Sequence, residues 1–315
     1  MIYAVALLTL IITFLLFRST IPVSATAPAP RHMPVVNDSE ASAITLPAPY
    51  QLIKARHGWM LANPNDIYLG RAIIQYGEYG ELEAQFLAGL PSMRPGKVVE
   101  VGANIGTHSV ALARSLAEQG RELIAFEPQP FLFQNLCANL ALNGLHNVKA
   151  WPWACGATNG SVYCPKPDYF KENNFGGVSM DHGAIAGSIK IPCVRLDDVL
   201  EAETVSLLKV DVEGFELEVL QGAAGILKQS RPVLYVENDR PESSQNLIEW
   251  IMAQDYRLWW HAPALFNPNN FFKNSENYYA DAVSYNMLCL PRELGAPFGD
   301  AGEILDSMEH PLTHT

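Results

Sequence analysis

A glycine turn between a short strand and a helix is the first part of this sequence that could take part in chemistry. The turn has the spacing Gly-x-Asn-x-Gly, formed by Gly102, Asn104 and Gly106. Such a turn lets a ligand approach the backbone at the carboxyl edge of a parallel sheet. In dinucleotide-binding proteins the middle position is a glycine that contacts a pyrophosphate. Asn104 would crowd that group but could hydrogen-bond the polar groups of an amino acid.

An acidic residue ends the next strand along the chain. Glu127 lies about twenty residues after the turn, where an acidic side chain can accept hydrogen bonds from the ribose hydroxyls of a nucleoside. Turn and acid together favour a nucleoside cofactor without phosphates, and S-adenosylmethionine fits that description. A solvated strand end is the alternative role for Glu127. We assign the cofactor site to Glu100, Gly102, Asn104, Gly106 and Glu127.

Carboxylates at the ends of two later strands are the candidates for catalysis. Asp211 and Glu213 follow one predicted strand, and Glu237 ends the next. These strand ends should face the reactive end of the cofactor, across the point where the strand order of the sheet reverses. A carboxylate there could stabilise a sulfonium charge or accept a proton from a hydroxyl group. The alternative makes Asp211 a helix N-cap and Glu213 a favourable charge in the first helical turn.

Three other interpretations of these residues stay open. Asp211, Glu213 and Glu237 would also suit a hard metal ion, although we assign no metal to the site. A nicotinamide-dependent oxidoreductase is a second possibility, and Asn104 in the turn argues against it. A catalytically silent nucleoside-binding module is a third, and the acidic residues at three strand ends argue against it.

Alternating strands and helices after Pro95 predict an α/β fold with a mostly parallel sheet and helices on both faces. The predicted strands are 57–61, 97–101, 123–126, 148–153, 207–212, 233–237, 256–260 and 287–290. The predicted helices are 81–90, 107–119, 130–142, 215–228 and 243–253. Ahead of the first sheet strand, Glu78, Tyr79 and Glu83 could fold over the cofactor.

Residues 50–295 are the predicted folded domain, followed by a tail over 296–315. Within the domain, 158–195 interrupts the alternation with glycine, proline and asparagine, and loops on a rigid scaffold often carry specificity. We interpret it as a substrate lid. It carries aromatic and amide side chains that would suit a sugar or a polyketide: Tyr169, Phe170, Asn173, Asn174 and Phe175.

The N-terminal segment 1–18 is apolar almost throughout and ends at Arg18. As a helix it would span roughly 24 Å, slightly less than the roughly 30 Å hydrocarbon core of a bilayer. The positive charges after it predict a membrane anchor with the domain facing the cytoplasm. Because Ala25, Thr26 and Ala27 could form a cleavage site, a removed signal peptide is the alternative. A linker rich in proline, alanine, serine and threonine follows over 19–49.

Composition narrows the classes of partner and of site. The formal net charge of -12 disfavours a nucleic-acid substrate, because proteins that bind nucleic acids present a basic face. Five cysteines with no Cys-x-x-Cys pair indicate neither a disulfide framework nor a structural zinc site. A neutral or cationic small molecule would suit this chain better.

From His57 to Arg292 the chain resembles the FkbM family of methyltransferases. The matching pieces are HGWMLANPND, YGEYGELE, VVEVGANIGTHS, FEPQP, VRLDDVL, KVDVEGFELEVLQGA and NMLCLPRE. The resemblance implies a seven-stranded Rossmann-like class I methyltransferase fold with S-adenosylmethionine as methyl donor. It also implies O-methylation of a hydroxyl on a sugar, glycolipid or polyketide-like acceptor. By the same resemblance, Gly102, Asn104, Gly106 and Glu127 line the cofactor site, and Asp211 and Glu213 belong to a signature facing it.

Overall fold

The computed structural model describes residues 46–184, 186–296 and 302–313. The predicted anchor over 1–18 and most of the predicted linker over 19–49 lie outside these residues. None of the helices in the described ranges combines the length and the apolar character needed to cross a membrane.

Seven strands form the central sheet in the order β11-β12-β10-β9-β3-β4-β5. Their bounds are β3 Lys97–Val101, β4 Leu123–Phe126, β5 Val148–Trp151, β9 Val205–Val210, β10 Val233–Glu237, β11 Tyr256–His261 and β12 Asn286–Pro291. The inner strands pair in parallel, whereas β12 runs antiparallel to both β10 and β11. The strand order reverses between β3 and β9, so the carboxyl ends of these two strands flank a crevice.

The described residues form eight α-helices around the sheet. Their bounds are α1 Leu69–Tyr76, α2 Glu81–Gly89, α3 Thr107–Ala117, α4 Pro130–Leu142, α5 Leu196–Val199, α6 Glu216–Gly222, α7 Ala224–Gln229 and α8 Pro241–Ala253. Alternate residues of β4 belong to different apolar clusters: Ile124 and Phe126 to one, Ala125 to the other. Successive side chains of a strand point to opposite faces of the sheet, so apolar clusters and helices cover both faces, as predicted.

One predicted helix is divided in the structure. The stretch 215–228 forms two helices, α6 and α7, that meet at Ala223.

A β-hairpin precedes the sheet where one strand was predicted. It consists of β1 Gln51–Ala55 and β2 Gly58–Ala62, paired antiparallel. Asn139 of α4 and Asn143, the residue that follows the helix, satisfy the free edge of β2. Asn139 Oδ1 accepts the Leu61 amide at 2.6 Å, and Asn143 Oδ1 accepts the Trp59 amide at 2.9 Å. Side-chain amides can replace a missing strand partner, which fixes the hairpin against α4.

The segment 158–195 contributes to a separate three-stranded sheet, β6 Ala154–Cys155, β7 Gly160–Cys164 and β8 Ile189–Val194, in the order β6-β8-β7. The chain between β7 and β8 has no helix or strand in its described part. Within the predicted tail, 302–313 contacts the outer strand of the main sheet, where the Ile304 amide donates to the Leu258 carbonyl at 2.8 Å.

Candidate active site

A cavity of about 370 Å³ opens at the carboxyl ends of β3, β4, β9 and β10. That volume lies within the usual range for small-molecule sites, roughly 300–1,000 Å³. Its wall includes seven of the eight predicted site residues, namely Glu100, Gly102, Asn104, Glu127, Asp211, Glu213 and Glu237. Gly106 is the exception. Gly106 has a φ of 86°, and a Cβ at this position would lie 2.6 Å from the Leu136 side chain. Backbone conformation and packing therefore both require glycine here.

Gly102 brings the ends of β3 and β9 unusually close together. Its φ is 88°, and an added Cβ would lie 1.7 Å from the Asp211 carbonyl oxygen. The Asp211 amide also donates to the Val101 carbonyl at 3.0 Å. A side chain at position 102 would therefore force these strand ends apart, so this glycine sets the distance between the turn and the catalytic candidates.

Asn104 shapes the turn with both its backbone and its side chain. Its φ of 51° lies in the left-handed region, which asparagine tolerates better than most residues. Its side-chain Oδ1 accepts a hydrogen bond from the Ile105 backbone amide at 2.8 Å. Its own backbone amide donates to Glu127 Oε2 at 2.8 Å. Gly176 packs against this side chain, since a Cβ there would lie 2.7 Å from Asn104 Nδ2. Asn104 thus joins the turn, the acidic strand end and the segment after β7.

Glu127 is buried at the end of β4, with only 4% of its surface exposed. Its two oxygens accept the amides of Asn104 and Gln129, each at 2.8 Å. A carboxylate offers about four acceptor positions, so about two remain for a ligand. Burial, together with the charges of Asp211 and Glu100, raises the pKa of Glu127 to about 7, although the two amide hydrogen bonds lower it. The alternative of a solvated strand end is therefore wrong.

A buried lysine lies beneath the catalytic candidates. Lys209 is 1% exposed, and its Nζ lies 2.9 Å from Asp211 Oδ2 and 3.9 Å from Glu100 Oε1. Burial alone would lower the pKa of Lys209, but Asp211, Glu100 and Glu83 raise it further, so the amine keeps its charge. Lys209 was not among the residues predicted from the sequence. A single charged residue within the buried strand β9 was the available signal.

Asp211 and Glu237 form a carboxyl pair in different protonation states. Burial raises the pKa of Asp211, but the charge and hydrogen bond of Lys209 outweigh it and the net shift is downward. The pKa of Glu237 is well above its ordinary value because of burial and the nearby charges of Asp211 and Glu213. The Glu237 carboxyl group hydrogen-bonds Asp211, and its Oε2 is buried without a hydrogen-bond partner in the described structure. The pair therefore carries an ionised Asp211 and a protonated Glu237.

Neither Asp211 nor Glu213 caps the following helix, which contradicts the capping alternative. Helix α6 begins at Glu216, whose own Oε1 accepts the Gly214 amide at 2.9 Å and the Val212 amide at 3.2 Å. The helix starts one residue later than predicted, and Glu213, with a φ of 58°, lies in the left-handed region outside it. Both carboxylates are thus free of a helix-capping role.

Glu213 is held by an arginine from the start of α8. Arg240 Nη2 lies 2.6 Å from Glu213 Oε2. Even so, burial and the charges of Asp211 and Asp239 raise the pKa of Glu213 to about 7. Oxygens of Glu213, Glu237 and Asp239 lie within 4.8 Å of one another, close enough to share a cation. The set differs from the predicted one because Asp211 turns towards Lys209.

Residues ahead of the main sheet and at the start of α3 also form part of the cavity wall. Tyr79 and Glu83 line the cavity, as does His108 from the start of α3. Glu78 does not line it. Its carboxylate binds Arg56 Nε at 2.6 Å, Asn267 Nδ2 at 2.7 Å and the Phe271 amide at 2.7 Å. It therefore attaches the segment 262–285 to the hairpin instead of contacting a ligand.

Two further segments contribute wall residues that the sequence analysis did not single out. Trp153 lines the cavity and stacks on the partly exposed Trp151, with ring centroids 4.5 Å apart. The chain between β11 and β12 adds Leu265, Ala282, Val283, Ser284 and Tyr285. No local pattern marks these residues, because they reach the cavity only through the return of the chain towards β12.

The predicted lid meets the cavity through its backbone and small side chains. Asn174, Gly176, Gly177, Val178 and Met180 line the wall. The aromatic residues expected to bind an acceptor lie elsewhere. Phe175 is fully buried in an apolar cluster, Tyr169 stacks on Phe131 with centroids 3.8 Å apart, and Phe170 points into solvent. Those aromatic side chains stabilise the segment instead of facing the cavity.

The sheet with its antiparallel β12, the glycine turn and the acidic strand end define a Rossmann-like methyltransferase. This chain belongs to the FkbM family of S-adenosylmethionine-dependent methyltransferases. The family model described as "Methyltransferase FkbM domain" matches residues 100–258. The match includes Glu100, Glu127, Asp211 and Glu237.

Curated relatives agree with this family. The chain is 32% identical over 191 residues to "Methyltransferase sdnD" of Sordaria araneosa, covering 47% of this chain and 72% of that protein. It is 30% identical over 132 residues to "Hexuronic acid methyltransferase AglP" of Haloferax volcanii, covering 41% of this chain and 50% of that protein.

Solved structures similar to this chain include a methyltransferase FkbM from Methylobacillus flagellatus KT, with a TM-score of 0.42 at 17% identity. The similar region covers 61% of this chain and 43% of that one. Another is the O-methyltransferase TomG from Streptomyces achromogenes in complex with SAM, with a TM-score of 0.40 at 14% identity, covering 67% of this chain and 79% of that one.

Proposed function

We propose that this protein transfers a methyl group from S-adenosylmethionine to a hydroxyl oxygen of an uncharged acceptor such as a neutral sugar or glycolipid. The observation that carries the proposal is the charge of the cavity wall. Seven carboxyl groups and one lysine, Lys209, line the cavity. The carboxyl groups are those of Glu83, Glu100, Glu127, Asp211, Glu213, Glu237 and Asp239. Such a wall favours a cationic donor and disfavours an anionic acceptor.

The donor site fits a nucleoside cofactor without phosphates. Glu127 keeps about two acceptor positions for ribose hydroxyls while backbone amides hold it in place. Asn104 occupies the position where dinucleotide-binding turns have a glycine, and its left-handed backbone leaves no room for a pyrophosphate beside its side chain. When bound, S-adenosylmethionine supplies an electrophilic methyl group on a positively charged sulfur.

Asp211 supplies the fixed negative charge of the reaction site. Lys209 Nζ donates to its carboxylate at 2.9 Å and the Glu237 carboxyl group also hydrogen-bonds it, so its orientation is set before a ligand binds. A preorganised charge of this kind acts without reorganisation cost in the transition state. Glu213 and Glu237 complete the acidic wall on the acceptor side.

A hexuronic acid acceptor is the second candidate, because one relative is named for that substrate. A uronate carries its charge next to the hydroxyls that would be methylated. Bringing it into this cavity would place it among carboxylates. A single unfavourable contact of about 1.4 kcal/mol already reduces binding tenfold. We therefore favour the neutral acceptor.

The test is methyl transfer from labelled S-adenosylmethionine to a matched pair of glycosides, methyl α-glucopyranoside and its uronic acid, alongside extracted glycolipids. We expect label in a base-stable ether, with the neutral glycoside at least tenfold better than the uronate. Label in a base-labile ester on the uronate would contradict the proposal, as would absence of transfer to every hydroxyl acceptor.

Calorimetric titration separates the donor from a nicotinamide cofactor. The full chain should bind S-adenosylmethionine and show no saturable heat with NAD. The opposite result would favour an oxidoreductase on the same fold.

A further inference from the structure

Glu83 is a buried carboxyl group on the cavity wall that lies ahead of the stretch matched by the family model, residues 100–258. It lies in the first turn of α2 and is 4% exposed. Its Oε1 is buried and has no hydrogen-bond partner in the described part of the chain. A buried polar atom without a partner costs roughly 1–3 kcal/mol, so a group of this kind inside a ligand cavity points to a ligand that satisfies it.

The groups around Glu83 leave its Oε1 unsatisfied. The Ser284 hydroxyl lies near enough to lower the pKa of Glu83, and it accepts Asn286 Nδ2 at 2.8 Å. His108 Nδ1 lies 3.8 Å from Oε1, and burial holds the pKa of His108 at about 3, so the ring is neutral. The other titratable groups that face Glu83 are Glu100, Lys209, Asp211, Tyr79 and Tyr235.

Glu83 lies between the two halves of the cavity. On the side of the glycine turn, α2 packs on α3, and His108 Nδ1 is 3.8 Å from Glu83 Oε1. On the other side, Ser284 lies just before β12, which β10 and β9 separate from β3, and Phe86 of α2 stacks on His261 with centroids 4.2 Å apart. Since Glu127 and the glycine turn place the donor over β3 and β4, Glu83 faces the space where donor and acceptor would meet.

We propose that Glu83 is the general base that receives the proton of the acceptor hydroxyl. This assignment rests on the proposed function. The acceptor O–H bond breaks and its proton passes to Glu83 Oε1, while the oxygen forms a bond to the donor methyl carbon. The carbon–sulfur bond breaks, and its electron pair stays on sulfur as the neutral thioether.

The protonation states of the wall support Glu83 over Asp211 in this role. Burial raises the pKa of Glu83 to about 7, with Asp211 and Glu100 raising it and Lys209 and Ser284 lowering it. A base is most effective when its pKa lies near the working pH. Asp211 is paired with Lys209, which lowers its pKa and its proton affinity. Because the active form is the carboxylate, the rate should rise with pH through about 7.

The experiment compares the full-length wild type with Glu83→Gln, using saturating S-adenosylmethionine and the methyl α-glucopyranoside probe from pH 5.5 to 9. Positioned proton transfer is typically worth about 10²–10⁴ in rate. We expect kcat to fall by about a hundredfold or more and the acid limb near pH 7 to disappear. Donor affinity measured by calorimetry should stay within about threefold, because the proposed partner of Glu83 is the acceptor hydroxyl and not the donor.

Glu81→Gln is the matched control. Glu81 is on the same helix and equally buried, but it pairs with His57 at 2.6 Å and Gln85 at 2.8 Å and does not line the cavity. It should keep the wild-type pH profile. Normal turnover by Glu83→Gln with an unchanged acid limb would overturn the assignment, as would a tenfold loss of donor affinity with normal kcat. A wild type that methylates none of the hydroxyl probes would overturn the proposed function, and this assignment with it.

Discussion

At the scale of single residues, the carboxyl groups of the cavity differ because their neighbours differ. Asp211 is held ionised by Lys209, whereas the pKa values of Glu83 and Glu127 are raised to about 7 by burial. Glu237 lies beside the charge of Asp211 and is protonated. With Glu213, whose pKa is also raised to about 7, one cavity thus contains a fixed anion, a neutral carboxyl group and three groups that titrate near neutral pH.

Glu127→Ala tests the donor half of the cavity. Losing two charge-assisted hydrogen bonds, roughly 1.5–3 kcal/mol each, should weaken S-adenosylmethionine binding at least tenfold in calorimetry. Because the pKa of Glu127 is raised to about 7, wild-type affinity should also fall as the pH drops below 7, when the carboxylate is protonated. Circular dichroism should show a folded variant. A folded variant with unchanged affinity would remove Glu127 from the donor site.

Asp211→Asn tests the fixed charge. The substitution is nearly isosteric, so we expect donor affinity within a few-fold of wild type and a methylation rate lower by about a hundredfold or more. The acid limb assigned to Glu83 should remain, which distinguishes a charge role from a base role. Normal turnover would show that Asp211 has only a structural role beside Lys209.

A chelator, followed by magnesium, tests in the same assay whether activity requires a cation at Glu213, Glu237 and Asp239.

At the scale of elements, the segment 262–285 depends on one buried carboxylate for its position. Glu78 binds the Arg56 guanidinium and two groups of this segment, and Arg56 Nη2 also donates to the Asn269 carbonyl at 2.9 Å. The same segment supplies Ser284, which lowers the pKa of Glu83. Contacts far from the reacting atoms therefore set the geometry of the acceptor half.

Glu78→Gln tests this attachment. The amide can keep part of the hydrogen bonding but loses the charge opposite Arg56, so we expect about 1–3 kcal/mol lower free energy of unfolding in urea. The acceptor KM should rise several-fold while donor affinity stays unchanged. Glu276→Gln is the control, because Glu276 lies on the same segment but is exposed and contacts Tyr278. Equal effects of both substitutions would show that Glu78 has no special role.

At the scale of the whole molecule, seven of the acidic residues of the chain meet in the cavity at the carboxyl edge of the sheet. The net charge of -12 is spread over 315 residues, yet seven carboxyl groups meet in one cavity. Parallel strands end at a common edge, so acidic residues at strand ends converge there. The membrane anchor and the cytoplasmic orientation of the domain stay predictions, because residues 1–18 lie outside the described structure.

The sequence by itself determined the local features of this protein. Strand and helix periodicity predicted the alternation of the central sheet, and the spacing around Gly102 and Asn104 predicted its ligand-binding turn. Glu127, Asp211 and Glu237 could be found because each ends a strand, and the carboxyl ends of parallel strands meet at one edge. Such inferences need only neighbours in the sequence.

Only the tertiary structure decided which neighbours each group has, and those neighbours set its chemistry. The burial of Lys209 between Asp211 and Glu100 follows from strand register, and the apposition of Glu83 with Ser284 follows from the return of the chain towards β12. The amides of Val212 and Gly214 pair with Glu216 and not with Asp211, and the left-handed Glu213 lies between them. Protonation and hydrogen bonding depend on distances of a few ångströms between residues far apart in the chain, and local patterns do not encode those distances.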